Sequence, residues 1–340
     1  MMDNPAIPAH AKEILLVSRP EGAMTLEQFK EVEVRVNEPT DGEILVRNEW
    51  MLLSVVLREL MGAEPNPDLP MPSYEIGEPP WTPTVGTVVR SKSPDYAVGD
   101  LVYHTCGFRE YAICSTTGWG LAKLDRDALP GSAYHLFRAP GMTAWRGMVS
   151  IANVGKGDTV FVAGATSGVG SLAGQIAKCR GAAKVIGSTG SKDKIPYLVD
   201  DLGFDGAFDY HDGPIAERLA ELAPDGIDVF FDNVGGEQFE AALSVAASKA
   251  RFALCGALSG EYPTLDIETV VLKDVTIRGF ITDYNSNDLD EYNMNFNAWV
   301  RDGVFTFAPT IIEGGITAVP QALVDQIDRK SQGVPLVKLS

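Results

Sequence analysis

Val162-Ala-Gly-Ala-Thr-Ser-Gly-Val-Gly170, followed by Ser171-Leu-Ala-Gly-Gln-Ile-Ala-Lys178, decides the fold. The β-branched and apolar run Thr159–Ala163 reads as a strand, and Ser171–Lys178 carries apolar residues at helical spacing. A loop of small residues between strand and helix lets the backbone approach a bound group closely. The helix start adds unpaired N–H groups and partial positive charge, which suits a pyrophosphate. The strict G-x-G-x-x-G spacing is absent: counted back from Gly170, Ser167 and Ala165 hold the earlier glycine positions, with Gly168 and Gly164 beside them. A packing turn would also use glycines. The order strand, loop, helix is what favours the binding reading.

Outward from this motif the pattern repeats. Strand-like runs at Lys184–Ser188, Ala207–Tyr210, Asp228–Asp232, Arg251–Cys255 and Val275–Ile281 alternate with helical patterns at Lys194–Leu202, Ile215–Leu222 and Glu237–Ala246. A further helix is expected over Asp290–Val300. Such alternation predicts parallel βαβ units, doubly wound, in an α/β fold. Before about Ala139 the texture differs. Glu31–Val36, Glu43–Asn48 and Val85–Arg90 alternate as strands, Gly99-Asp100 turns into another, and the Pro-rich run Pro65–Pro83 predicts an extended loop. The tail from Thr306 holds a helix near Pro320–Asp328 and a strand-like Pro335–Leu339, expected to pack on the first module.

The second strand separates the two nicotinamide cofactors. NAD sites place an acid at its end for the ribose hydroxyls. Here Val185-Ile-Gly-Ser188 ends without one and leads into Thr189-Gly-Ser-Lys-Asp-Lys194. Serine and lysines suit a 2′-phosphate, so the expected cofactor is NADP; a solvated helix start capped by Ser191 is the plainer alternative. Asp232-Asn-Val-Gly-Gly236 and Cys255-Gly-Ala-Leu-Ser259 end the next two strands and are placed to border the same ligand.

Other chemistries find less support. The 340 residues are 45% apolar, enough for two cores, and the net charge of −18 repels nucleic acid and anionic lipid. No run reaches membrane-spanning length, and Met1–Ala11 lacks a secretory pattern. Cys106, Cys114, Cys179 and Cys255 form no close pair, which predicts free thiols and a cytoplasmic location. Among His10, His104, His135 and His211, only His104 lies near a cysteine, Cys106. No third metal ligand is evident, so no metal is expected. A Gly-x-Ser-x-Gly elbow is also missing.

Leu53-Ser-Val55, Tyr74-Glu-Ile-Gly-Glu78, Val98-Gly-Asp100, Phe108-Arg-Glu-Tyr-Ala112, Gly141-Met-Thr-Ala144, Gly168-Val-Gly-Ser171, Gly190-Ser-Lys-Asp-Lys194, Phe231-Asp-Asn-Val-Gly-Gly236 and Gly279-Phe-Ile281 together resemble the zinc-independent medium-chain dehydrogenases/reductases. The likeness is strongest to the prostaglandin reductase, leukotriene hydroxydehydrogenase and curcumin reductase group. It implies a GroES-like β-rich substrate domain (residues 1–137), a Rossmann NADP-binding domain (138–305) and a C-terminal segment (306–340) that completes the first, with a cleft between domains and a homodimer. It further implies that Thr166, Ser167, Gly168 and Val169 cradle the pyrophosphate and Lys194 the 2′-phosphate. Tyr210 would lie near the adenosine, and Ser188 would be among the cofactor-binding residues. Asn233, Cys255, Gly256, Ala257, Leu258 and Ser259 would run along the cofactor, with Phe280, Ile281 and Thr282 by the nicotinamide and Thr143 near its carboxamide. Ser331 stands where the family's Asn-x-Gly-Lys begins. The implied reaction is hydride transfer to the β-carbon of an enone, with Tyr262 as the candidate catalytic residue near the carbonyl. Quinone or carbonyl reduction and a non-catalytic NADPH-binding role remain alternatives. Val56-Leu-Arg-Glu-Leu60 departs from the family's Asp-Pro-Tyr-Met-Arg, and Tyr284 falls one place after the family tyrosine.

Overall fold

A computed structural model describes residues 7–62, 68–69 and 71–340. The chain divides into two compact units, Met1–Phe137 with Pro309–Ser340, and Arg138–Ala308. The second unit thus runs through Ala308 instead of ending at 305.

The first unit is built from β1 (His10–Leu16), β2 (Phe29–Arg35), β3 (Glu43–Leu52), the short helix α1 (Val56–Leu60), β4 (Thr84–Ser91), β5 (Leu101–His104), β6 (Tyr111–Ser115) and β7 (Ala122–Leu124). β3 is its organising strand, pairing antiparallel with both β4 and β6. Its interior positions Ile44, Val46 and Met51 are fully buried, as a strand covered on both sides requires. In the Pro-rich stretch, residues 65–67 and 70 lie outside the described residues, and the rest forms neither helix nor strand. The divergent segment Val56–Leu60 is absorbed by packing. Leu57 and Leu60 are each 1% exposed, in a core with Ile14, Leu16 and Phe108.

The second unit follows the alternation read from the sequence. Helix α2 (Arg138–Trp145) continues into a π-helical turn (Arg146–Ile151) and leads to β8 (Thr159–Val162), α3 (Gly168–Cys179), β9 (Lys184–Thr189), β10 (Gly206–Asp209), α4 (Ile215–Leu222), β11 (Ile227–Asp232), α5 (Glu237–Ser244), β12 (Ala246–Leu254), α6 (Ile267–Leu272), β13 (Thr276–Gly279) and α7 (Ser286–Arg301). The six strands are parallel in the order β10-β9-β8-β11-β12-β13. That order reverses between β8 and β11, so connections leave in opposite directions there and open a crevice at the carboxyl ends. One expected helix is not continuous. Over 194–202 the chain makes a 3-10 turn (Lys192–Lys194) and a π-helical turn (Tyr197–Asp201), because Pro196 has no N–H to continue an α-helical ladder. The tail then forms β14 (Thr310–Ile312), α8 (Val319–Ile327) and β15 (Pro335–Lys338). β15 pairs antiparallel with β3 in the first unit. No helix among the described residues is long and apolar enough to cross a membrane.

The sheet of the second unit rests on an aromatic seam. Phe230 is fully buried, stacks on Phe161 at 5.2 Å and meets Phe252 edge-on at 5.0 Å. Phe230→Ala should lower stability by about 3–5 kcal/mol, because the lost ring leaves a cavity that rigid strands cannot close. Urea unfolding followed by fluorescence measures it. A loss below about 1 kcal/mol would mean that the seam is not a keystone.

Candidate functional site: an amide-lined rim on the parallel sheet

The site begins where β8 ends. Gly164 has φ of +63°, a conformation open to glycine and strained for other residues. Its turn aims the next residues at the start of α3. Ser167 caps that helix, its Oγ accepting the Gly170 N–H at 3.0 Å. A Cβ on Gly170 would lie 2.5 Å from the Gly164 carbonyl oxygen, so only glycine lets the loop fold this tightly. Gly164, Ala165, Ser167 and Gly170 spend their N–H groups within this region. Among the described residues, the amides of Thr166, Gly168 and Val169 have no such partner. Three free donors on one short arc, at the positive end of a twelve-residue helix, leave the loop able to accept an anion.

Adjacent strand ends are tied to this loop. Ala165 N–H donates to the Ser188 carbonyl at 2.9 Å, the Thr166 and Thr189 hydroxyls lie 3.3 Å apart, and Tyr210 N–H donates to the Thr189 carbonyl at 3.0 Å. On the other side, Asn233 Nδ2 donates to the Ala163 carbonyl at 2.7 Å, and the Cys255 thiol donates to Asn233 Oδ1 at 3.2 Å. Leu258 N–H reaches the Asn233 carbonyl at 3.1 Å, and Ser259 Oγ donates to the Val234 carbonyl at 2.7 Å. Asp232 Oδ1 accepts the Val234 and Gly235 N–H groups, each at 2.8 Å, and fixes the turn between them. Phe280 N–H bonds the Leu254 carbonyl and its ring meets Phe231 edge-on, while Thr282 and Thr143 share a 2.6 Å hydroxyl contact. One hydrogen-bonded rim therefore runs from Tyr210 through the Gly164–Val169 loop to Phe280–Thr282.

Several expected residues take other parts. Ser188 is fully buried. Its Oγ accepts the Gly164 N–H at 3.1 Å and donates to Gln238 Oε1, so it props the loop from below and is not open to a 2′-phosphate. Gln238, on α5, was not legible as a site residue; no spacing rule links it to the loop. Lys192 is engaged by Asp212 at 2.8 Å. Lys194 is half-buried, and that burial pulls its ammonium below the usual lysine range, which an anion beside it would reverse. Gly256, Ala257, Leu258 and Ser259 are exposed in their unit, as is Ile281, while Cys255 is half-buried and its thiol is pushed up to about 12. Tyr262 is 99% exposed, with no hydrogen-bond partner among the described residues, and Tyr284 is 39% exposed. Ser331 belongs to the other unit, where its hydroxyl donates to Gln326.

The doubly wound sheet and its rim define a dinucleotide-binding oxidoreductase unit joined in one chain to a β-rich unit. A family model described as zinc-binding dehydrogenase matches residues 168–297, and one described as the N-terminal domain of oxidoreductase matches 12–122. The chain belongs to the medium-chain dehydrogenase/reductase family, in its zinc-independent branch. It is 33% identical over 339 residues to the NADPH-dependent curcumin reductase of Escherichia coli (strain K12), covering 96% of each chain. It is 30% identical over 322 residues to a 2-alkenal reductase (NADP(+)-dependent) of Nicotiana tabacum, covering 92% of each. The crystal structure of CurA in complex with NADPH from Vibrio vulnificus superposes with a TM-score of 0.84 at 30% identity, over 97% of this chain and 99% of that one.

Ser188→Ala should leave the half-buried Gly164 N–H and the buried Gln238 Oε1 without the hydroxyl they share and cost about 1–3 kcal/mol of stability. Chemical denaturation checks this. An unchanged midpoint would show that the prop is dispensable.

Proposed function

We propose that the chain is an NADPH-dependent reductase that saturates the C=C bond of α,β-unsaturated ketones and aldehydes. The observation that carries the reading is the trio of unpaired amides at Thr166, Gly168 and Val169, beside a β9 that ends Gly187-Ser188-Thr189 without an acid and leads into the turn that carries Lys194. The curcumin and 2-alkenal reductases to which the chain is similar support the substrate class. NADPH, when bound, supplies the hydride that reaches the β-carbon of the enone.

The chain's residues bind and orient around that chemistry. The Thr166, Gly168 and Val169 amides hold the diphosphate, and Lys194 pairs with the 2′-phosphate. Tyr210 flanks the adenosine. Asn233 and Cys255–Ser259 follow the cofactor, and the Thr143–Thr282 pair, with Phe280 and Ile281, seats the nicotinamide. Without a metal, polarising the substrate carbonyl falls to a hydrogen-bond donor, and the Tyr262 hydroxyl is assigned that part. Ser331 is kept as a cofactor-side residue of the tail. Free Cys106, Cys114, Cys179 and Cys255 support a reducing, cytoplasmic setting.

A homodimer forms part of the proposal. β13 is an edge strand of the parallel sheet, and beside it α6 exposes Ile267 (59%), Val271 (69%) and Leu272 (76%). An open edge next to exposed apolar side chains suits a second copy of the same surface.

NADPH consumption with a panel of enones, quinones and aldehydes tests the reaction. Turnover of enones is expected; turnover of quinones or aldehydes alone, or binding without turnover, would overturn it. Lys194→Ala should weaken NADPH by about 10–100-fold while NADH changes by less than about threefold. Equal losses for both would remove the lysine from the 2′-phosphate. Tyr262→Phe should lower kcat, and an unchanged kcat would exclude the tyrosine. Leu272→Asp should turn a dimer into a monomer by size-exclusion chromatography with light scattering.

A further inference from the structure

The metal reading of the sequence stopped at His104 and Cys106, but the fold adds a third side chain. β5 ends at His104, Cys106 follows two residues later, and β6 carries Cys114. Because β4 pairs with β5 and β3 pairs with both β4 and β6, the two cysteines converge. The donor atoms of His104, Cys106 and Cys114 all lie within 4.8 Å of one another. Cys114 is 3% exposed and Cys106 partly so, against an apolar cluster of Ile44, Val46, Val88 and Val102.

The imidazole decides what the cluster can do. His104 is 1% exposed, and its Nδ1 accepts the Cys106 backbone N–H at 3.1 Å. An accepting nitrogen carries no proton, so the neutral ring is protonated at Nε2. That Nε2 is buried without a hydrogen-bond partner. A divalent metal would need one ring nitrogen as a ligand, yet one is occupied and the other carries the proton. What the ring does offer is position: it lies beside both sulfurs and favours negative charge on Cys106. The other groups agree. Cys106 is held below the ordinary thiol range by the hydrogen that Cys114 offers it, then by His104 and the nearby Arg109 guanidinium, while burial opposes them. Cys114 is pushed up in turn. Arg109 also lies 3.8 Å from Glu13, so it is not fully committed to the sulfur.

We propose that Cys106 and Cys114 are an oxidisable dithiol, a modification site for hydroperoxides in which Cys106 is the nucleophile and Cys114 the resolving thiol. In the first step the Cys106 sulfur attacks a peroxide oxygen. The O–O bond breaks, Cys106 becomes a sulfenic acid, and the departing hydroxide or alkoxide takes a proton from solvent. In the second, Cys114 loses its proton and bonds to the Cys106 sulfur, and the sulfenic oxygen leaves as water. Two thiols lose two electrons, the peroxide gains them, and a disulfide remains.

Reduced full-length protein treated with near-stoichiometric hydrogen peroxide tests this by intact mass and peptide mapping. The expected result is loss of two hydrogens and a Cys106–Cys114 cross-link reversed by dithiothreitol. It should form at least about tenfold faster than any product of Cys179 or Cys255. Cys114→Ser should stop at a sulfenic acid trapped by dimedone, and Cys106→Ser should abolish the rapid phase. His104→Asn keeps an acceptor for the Cys106 amide but removes the imidazole beside the sulfurs, so the pH profile of Cys106 alkylation should move upward. Alkylation of Cys106 no faster than that of Cys179 in mild acid would overturn the proposal. So would stoichiometric metal in the purified protein that shields both thiols, which would make the cluster a metal site.

Discussion

Three backbone amides without partners, those of Thr166, Gly168 and Val169, are the constraint around which the second unit is built. Unpaired donors at a helix start are costly inside a protein unless an anion or water meets them. Keeping them in one arc requires a positive φ at Gly164 and no side chain at Gly170. It also requires a floor, and buried Ser188 supplies one by bridging Gly164 and Gln238. A loop so determined from both sides is preorganised, and preorganisation reduces the entropic cost of binding.

The same constraint explains the rim. Strands in a parallel sheet deliver their carboxyl ends to one edge, and each end here is bonded to its neighbour through a side chain or carbonyl. Asn233 is central, since it ties β8 to β11 through Ala163 and reaches the β12 end through Cys255. A change at any one strand end is therefore felt by the next. The first unit follows a different logic. There β3 pairs on both flanks, so residues on strands that do not pair with each other meet as side-chain neighbours, and His104, Cys106 and Cys114 do so.

How much was legible follows from the range of the interaction involved. The alternation after Thr159, the capped helix at Ser167 and the missing acid after Val185 are local, and each stands in the structure where its residues predict. Pro196 is itself a local signal, and it interrupts the helical period of 194–202 by removing an N–H from the ladder. Ser188 has the right chemistry for a phosphate, and only its burial under the loop shows that its hydroxyl is already used. Val56–Leu60 reads as a departure in a substrate segment, whereas two of its leucines serve the core.

By itself the sequence determined the fold class, the small-residue loop that opens α3 and the type of cofactor, because strand and helix periods, glycine placement and the charge at one strand end are properties of neighbouring residues. Only the tertiary structure decided which hydroxyls were already engaged, which amides were left free, and that Cys114 completes a cluster with His104 and Cys106. Those outcomes depend on sheet pairing and burial, from about ten residues at the cysteines to 50 between Ser188 and Gln238, which no local period carries.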